Sequence, residues 1–299
     1  MRVIPPTNPI VRQLSSDNIA AAMSIIDPIF LHTPLLRGTS LDRFLDAELL
    51  CKVETLNPIR SFKGRGTEAF VAQLSDPRAL VCASAGNFGQ GLARAGVRRG
   101  RSVVVFAAEN ANPLKIDAMR ALGADVRLAG ADFDAAKDAS RHFAKSSDAL
   151  YVEDGAIPEI AEGAGTIALE ITESGLVPEL MIVPLGNGAL ATGIGAWCRH
   201  AAPSARVIAV VAEGAPSMRL SFAAHAPVST ETSETIADGI AVREPVAYAV
   251  ECMQATVDEV VSVSEDAIVR AMRLVHEHVE LVVEPAGVVG IAALLEHPA

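Results

Sequence analysis

From Ala79 onward the chain repeats one rhythm: a short apolar run, a turn of small residues, then an amphipathic stretch. Residues 79–83 read as a strand, followed by a helix to about residue 98. Residues 102–107 form a Val-rich strand and 113–122 a helix, with Pro113 in its first turn and Gly123 as its C-cap. Residues 124–128 are a strand and 133–143 a helix. The rhythm resumes with helices at 158–172, 189–200, 245–255, 265–277 and 286–295, and strands at 180–185, 206–212 and 259–263. Strands that alternate with helices pair in parallel, and a parallel sheet is covered by helices on both faces. The expected fold is therefore α/β: two domains, each an open, twisted, mostly parallel sheet with helices on both faces and the site in the cleft between them. The crossings fall near residues 76 and 153. They divide the chain into a large domain (1–75 and 154–299) and a small one (76–153).

Upstream, residues 15–26 carry cap candidates Ser15 and Ser16 and place Ile19, Met23 and Ile26 at helical spacing. His32-Thr33-Pro34-Leu35 is extended, because Pro34 disfavours the helical region for its predecessor. Residues 49–54 read as a strand, 62–74 as a helix, and 224–238, rich in Ser and Thr, as a loop.

Half of the 299 residues (50%) are hydrophobic and only 20% are charged, enough for a large core and in keeping with an oligomer interface. Net charge is −11 without a Lys/Arg block, which argues against nucleic acid or an anionic membrane as partner. No apolar run approaches the roughly 20 residues that span a bilayer. Met1-Arg2-Val3-Ile4-Pro5-Pro6 lacks a signal-peptide core. Cys51, Cys82, Cys198 and Cys252 form no CxxC pair and read as buried free thiols of a reducing compartment. A cytoplasmic location is expected.

Four stretches carry chemistry. In Ser61-Phe62-Lys63-Gly64-Arg65-Gly66, Lys63 falls in the first turn of a helix, where the macrodipole opposes a positive charge. A glycine beside it leaves room above its side chain. A neutral amine there can form a Schiff base, although a solvated surface lysine fits the same pattern. Ser84-Ala85-Gly86-Asn87-Phe88-Gly89 is a small-residue turn whose amides can approach a carboxylate; it could equally be an ordinary βα turn. Pro184-Leu185-Gly186-Asn187-Gly188-Ala189-Leu190 joins a strand to a helix and makes a phosphate site. It has neither the Lys-Ser/Thr of a Walker A loop nor a G-x-G-x-x-G fingerprint. Glu284-Pro285-Ala286-Gly287 opens the last helix; Glu284 is either a functional carboxylate or a first-turn Glu stabilised by the dipole. An amine, an amide, a phosphate loop and a carboxylate at strand ends suit one cofactor, the phosphate-bearing aldehyde pyridoxal 5'-phosphate (PLP).

With these residues in view, the sequence resembles the fold-type II PLP enzymes of the serine/threonine dehydratase (tryptophan synthase β-like) family. The matching segments run nearly end to end: Thr33-Pro34-Leu35-Leu36, Ser61 to Gly66, Ser84 to Asn87, Glu162-Gly163-Ala164-Gly165-Thr166-Ile167-Ala168, Thr235-Ile236-Ala237-Asp238-Gly239-Ile240-Ala241-Val242 and Glu284 to Gly287. The resemblance implies that Lys63, with Phe62 beside it, holds PLP and then moves the Cα proton of the substrate. Asn87 would bond the ring hydroxyl, and Gly186, Asn187, Gly188, Ala189 and Leu190 would cradle the phosphate. Gly239 would line the site, Ser84, Ala85, Gly86 and Asn87 would hold the substrate carboxylate, and Glu284 would lie near the reacting groups. The implied reaction is dehydration of a β-hydroxy amino acid (serine, threonine or a relative) to a 2-oxo acid and ammonia, by a homodimer.

There are departures. Gly-Asn-Gly-Ala replaces the usual four glycines and leans toward threonine synthases, which keeps β- or γ-replacement open. Ala85 stands where racemases of the family carry a serine, which disfavours racemisation. Phe88 stands where histidine is common. Glu213 matches one ligand of a divalent-cation site, but Arg219 falls near the second, so no metal is expected. Relatives continue to a Ser/Thr/Cys-Gly-Gly-Asn segment that meets the pyridine nitrogen. This chain stops at Glu296-His297-Pro298-Ala299: either a further segment exists or the nitrogen lacks that partner, which leaves a non-catalytic relative as a third reading. No feedback-regulatory domain is expected.

Overall fold

The computed structural model describes residues 2–3 and 13–297. Most of Met1–Pro6, and Pro298 and Ala299, lie outside the described residues.

Two parallel sheets organise the chain. The first has four strands in the order Asp125–Leu128, Val103–Ala107, Leu80–Ala83, Leu150–Tyr151. Leu80, Cys82, Val103 and Val105 pack with Phe88, Leu92 and Met119 on one face. Val81, Val104 and Phe106 pack with Phe143 and Ala144 on the other. In the two central strands successive residues thus point to opposite faces, each covered by helix, which is why Leu80–Ala83 and Val103–Ala107 read as unbroken apolar runs, whereas the edge strand Asp125–Leu128 is largely exposed. The second sheet has the order Glu259–Val263, Arg206–Ala212, Leu180–Pro184. Val207, Ala209 and Val211 face Ile194 and Met253, while Val210 and Ala212 face Ile268 and Val289. The expected strand 206–212 is found with the same bounds, as is 259–263.

Helix Pro158–Glu173 packs between two other helices. It is buried along most of its length because glycines let main chains touch. A β-carbon on Gly163 would lie 2.7 Å from the Arg65 carbonyl oxygen, and one on Gly193 would lie 2.0 Å from that of Ala161. Helices Lys63–Gln73 and Ala189–Ala201 therefore pack directly on its backbone.

Beneath the first of these helices lies a buried ionic cluster. Arg65 is 0% exposed. It donates to Glu54 Oε1 at 2.9 Å, Glu170 Oε1 at 2.7 Å and Thr166 Oγ1 at 3.0 Å. Lys52 donates to Glu170 Oε2 at 2.6 Å. Burial alone would raise the Glu170 carboxyl, but Arg65, Lys52 and the His32 amide hold it below its ordinary value.

Several expectations need correction. The strand at 49–54 shrinks to Cys51–Lys52, paired antiparallel with Leu35–Leu36. His32 is not extended but left-handed, at φ 52°. The first helix ends at Ala22 rather than residue 26. The loop at 224–238 starts inside a helix, Ser217–Ala224, and contains Val228–Ser229, which pairs with Arg2–Val3. The last helix begins as a 3-10 turn, Pro285–Val288, before Val289–Glu296. Cys51 is half-buried, whereas the other three cysteines are buried and all four are free.

Candidate active site

Lys63 is the first residue of helix Lys63–Gln73. The turn before it is built by Asn57, whose Nδ2 donates to the carbonyls of Glu54 (2.8 Å) and Ser61 (3.0 Å). Its Oδ1 accepts from the amides of Ile59 (3.2 Å) and Ser61 (3.3 Å). The space at Gly64 is not left open above the lysine: a β-carbon there would lie 2.1 Å from Phe30 Cε1, so the glycine makes room for a ring.

The Lys63 ammonium has two close neighbours. Nζ donates to Asp154 Oδ2 at 2.6 Å and lies 4.7 Å from the Phe62 ring centroid. Asp154 arrives from the end of Leu150–Tyr151, a short strand that the sequence pattern does not mark. Its Oδ1 is buried without a hydrogen-bond partner. The next residue, Gly155, has φ +84°, and a β-carbon on it would lie 2.2 Å from the Asn187 carbonyl oxygen.

From Asn187 the contacts run on. A β-carbon on Gly186 would meet the Gly239 carbonyl oxygen at 2.9 Å, and one on Gly239 would lie 3.6 Å from Glu284 Oε1. Glu284 Oε1 accepts from Asn87 Nδ2 at 2.8 Å. Asn87 opens helix Asn87–Val97, in which a β-carbon on Gly91 would lie 3.3 Å from the Lys63 carbonyl oxygen. The circuit thus closes on Lys63 and brings together Lys63, Phe62, Asn87, Gly186, Asn187, Gly239 and Glu284. Gly188 sits at φ +96° as the cap of helix Ala189–Ala201, so the amides of Ala189 and Leu190 belong to a helix N-terminus, the electropositive end.

At Ser84-Ala85-Gly86-Asn87, the buried Ser84 hydroxyl accepts from the amides of Gly86 (3.2 Å) and Gly89 (2.9 Å). The turn is braced from within. Lys115 crosses above it, its Cδ 3.6 Å from where a Gly86 β-carbon would be, and pairs with Asp238. Cys82 lies close to Asp154; burial, and then the Asp154 charge, push its thiol up.

Neither Asp154 nor Lys115 is singled out by the sequence. The signal for Asp154 is slight: an acid before a glycine, where an apolar strand ends. Among the described residues no cluster of three His, Cys, Asp or Glu side chains could hold a metal.

These residues fit PLP. At Gly155 and Gly186 a β-carbon would collide with neighbouring main chain and at Gly239 it would be tight, a helix N-terminus offers amides for a phosphate, and the half-buried Lys63 amine lies on the same circuit of contacts. Comparison with known proteins agrees. The chain is 34% identical over 285 residues to an L-threonine ammonia-lyase of Thermotoga maritima, covering 94% of this chain and 71% of that one. It is 33% identical to the L-threonine dehydratase biosynthetic IlvA of Salmonella typhimurium, with 89% of this chain aligned to only 52% of that one. The chain thus spans about half the length of some relatives it matches. Among solved structures, a threonine deaminase from T.th. superposes with a TM-score of 0.89 at 30% identity, covering 95% of this chain and 93% of that one. Maize serine racemase superposes with a TM-score of 0.88 at 26% identity, covering 95% and 89%. Residues 26–299 match the family model described as "Pyridoxal-phosphate dependent enzyme", and the chain belongs to this family.

Proposed function

We propose that the protein is a PLP-dependent ammonia-lyase that converts a β-hydroxy amino acid, serine, threonine or a relative, to a 2-oxo acid and ammonia. The observation that carries this reading is the closed circuit from Lys63 through Asp154, Asn187, Gly239 and Glu284 to Asn87. It brings the Lys63 amine, the loop at Gly186-Asn187-Gly188 and the end of the Ser84-Ala85-Gly86-Asn87 turn into one chain of contacts. PLP, when bound, supplies an electron sink that makes the Cα–H bond of an amino acid acidic. Lys63 would hold the cofactor, and its amine would take the Cα proton of the substrate. The amides of residues 186–190 would hold the phosphate and Asn87 the ring hydroxyl. The turn Ser84-Ala85-Gly86-Asn87 orients the substrate carboxylate, and Glu284 stands beside the reacting groups. Loss of the β-hydroxyl as water leaves an enamine, which hydrolyses to the 2-oxo acid and ammonia.

The site divides a large domain (1–75 and 154–299) from a small one (76–153). We place the protein in the cytoplasm as a homodimer, a reading supported by four free cysteines and a low charged fraction of 20%. Among the described residues, no helix is long and apolar enough to cross a membrane. Gly186-Asn187-Gly188-Ala189 favours β- or γ-replacement as a second reading, because a carboxamide side chain borders the phosphate cradle.

The test is to purify the protein, record its visible absorption, reduce it with borohydride and map the labelled peptide. Label is expected at Lys63, with loss of the band and a retained fold in Lys63→Ala; a PLP-loaded protein without label at Lys63 overturns the reading. Keto-acid release from serine or threonine is expected next. If none of a panel of β-hydroxy amino acids yields 2-oxo acid, dehydration is excluded.

A further inference from the structure

We infer that Asp154 is the proton partner of Lys63: its carboxylate holds the Nζ ammonium and accepts the proton that must leave before the amine can bond the cofactor aldehyde. This rests on the reading of Lys63 as the cofactor lysine.

The geometry is that of a committed pair. Nζ and Oδ2 are 2.6 Å apart, and the two side chains are only 15% and 9% exposed. The other oxygen of the carboxylate, Oδ1, is buried and bonds nothing, so no second donor competes with Nζ. Lys63 also sits at a helix N-terminus, where the dipole opposes its positive charge. Burial costs both ions much of their hydration. Moving one proton from Nζ to Oδ2 removes both charges at once. The Nζ–H bond breaks, its electron pair stays on nitrogen as the nucleophilic lone pair, and an Oδ2–H bond forms. No outside acid or base enters the step.

Asp154 is also held in place. Val152 N donates to the Val81 carbonyl oxygen at 2.7 Å. Glu153 pairs with Lys137 at 2.5 Å and Arg141 at 3.2 Å. On the far side, Gly155 is pressed against the Asn187 carbonyl. The carboxylate is therefore fixed by the small sheet before it and the phosphate loop after it. Besides Lys63, the ionisable group it faces is Cys82, whose thiol is held protonated by burial and by Asp154 itself. That sulfur does not compete for the aldehyde.

The test follows cofactor loading rather than turnover. Full-length protein freed of PLP by hydroxylamine is mixed with PLP in a tertiary-amine buffer and quenched with borohydride at intervals. The modified Lys63 peptide is then quantified by mass spectrometry. Wild-type loading is expected to be independent of buffer concentration. Asp154→Asn is expected to load about 100-fold more slowly. Asp154→Ala is expected to load slowly and to be accelerated by added formate, which a purely structural role would not produce. Wild-type loading by Asp154→Asn, or no response of Asp154→Ala to formate, overturns the assignment. Should both variants fail to fold by circular dichroism, the wild type decides: a rate that rises in proportion to buffer base overturns the proposal, and a flat one supports it. Absence of label at Lys63 in the wild type sinks the reading of Lys63 and this inference with it. A labelled wild type with an unaltered Asp154→Asn overturns the role of Asp154 alone.

Discussion

The ring of Phe30 fills the place where a side chain on Gly64 would be: its Cε1, Cδ1 and Cζ lie 2.1, 2.5 and 2.5 Å from a β-carbon built there. Phe30 is fully buried, and the Arg94 guanidinium lies 4.7 Å from its ring centroid, so the ring has little freedom to yield. Gly64→Ala is expected to cost about 1–3 kcal/mol through overpacking and to shift helix Lys63–Gln73, and Lys63 with it. Thermal unfolding reads the first effect and the yield of borohydride-trapped cofactor the second. Phe30→Ala in the same chain is expected to restore part of the trapping, since it removes the obstacle.

The Arg65 cluster contributes to stability in acid. The Glu170 carboxyl is held low in the folded state, so its contribution is present above the ordinary glutamate range of about 4.3 and is lost as pH falls through its lower folded value. Unfolding followed by urea at pH 7 and pH 3 is expected to show a smaller pH effect in Glu170→Gln than in the wild type. Arg65→Ala leaves Glu54 and Glu170 without their buried guanidinium and is expected to cost about 3–5 kcal/mol. Arg65→Lys is expected to recover only part of this, because an ammonium cannot bridge the two carboxylates as the planar fork does.

Gly155 combines a left-handed backbone, φ +84°, with the close approach to Asn187. Gly155→Ala must push the phosphate loop away. The expected result is a loss of PLP affinity of about tenfold or more, measured by equilibrium dialysis, with a circular dichroism spectrum like that of the wild type. Unchanged PLP affinity would show that the phosphate is held elsewhere.

Ala85 has no group that can carry a proton to the second face of a substrate. Ala85→Ser is expected to introduce slow racemisation of serine, read by chiral chromatography of unreacted substrate. Unaltered stereochemistry at Cα would remove this position from the account of reaction choice.

Much of this arrangement is legible in the sequence because it depends on local pattern. An apolar run buried on both faces marks strand 206–212, valines mark the half-buried strand 259–263, and small-residue loops after strands mark Asn87 and Gly186. Glu284 stands out as an acid before a proline. What stays hidden depends on contacts distant in sequence. Asp154 is an ordinary acid until the fold sets it against a lysine 91 positions away. Phe30 shows no sign in sequence that it determines the glycine at position 64. Leu150–Tyr151 pairs through only two residues, Leu80 and Val81, too few to leave a periodic trace. The last helix opens as a 3-10 turn that begins at Pro285; in the sequence that proline signals only a helix opening, with nothing to tell the 3-10 from the α form.

Helix Pro158–Glu173 touches the amine-bearing helix on one flank and the phosphate-loop helix on the other, main chain to main chain at Gly163 and Gly193. It acts as a fixed gauge: the span between Lys63 and the Gly188 cap is set by backbone thickness rather than by any adjustable side chain. Substitutions in Ser84-Ala85-Gly86-Asn87 or around Gly239, which lie off these two contacts, are therefore expected to leave that span unchanged.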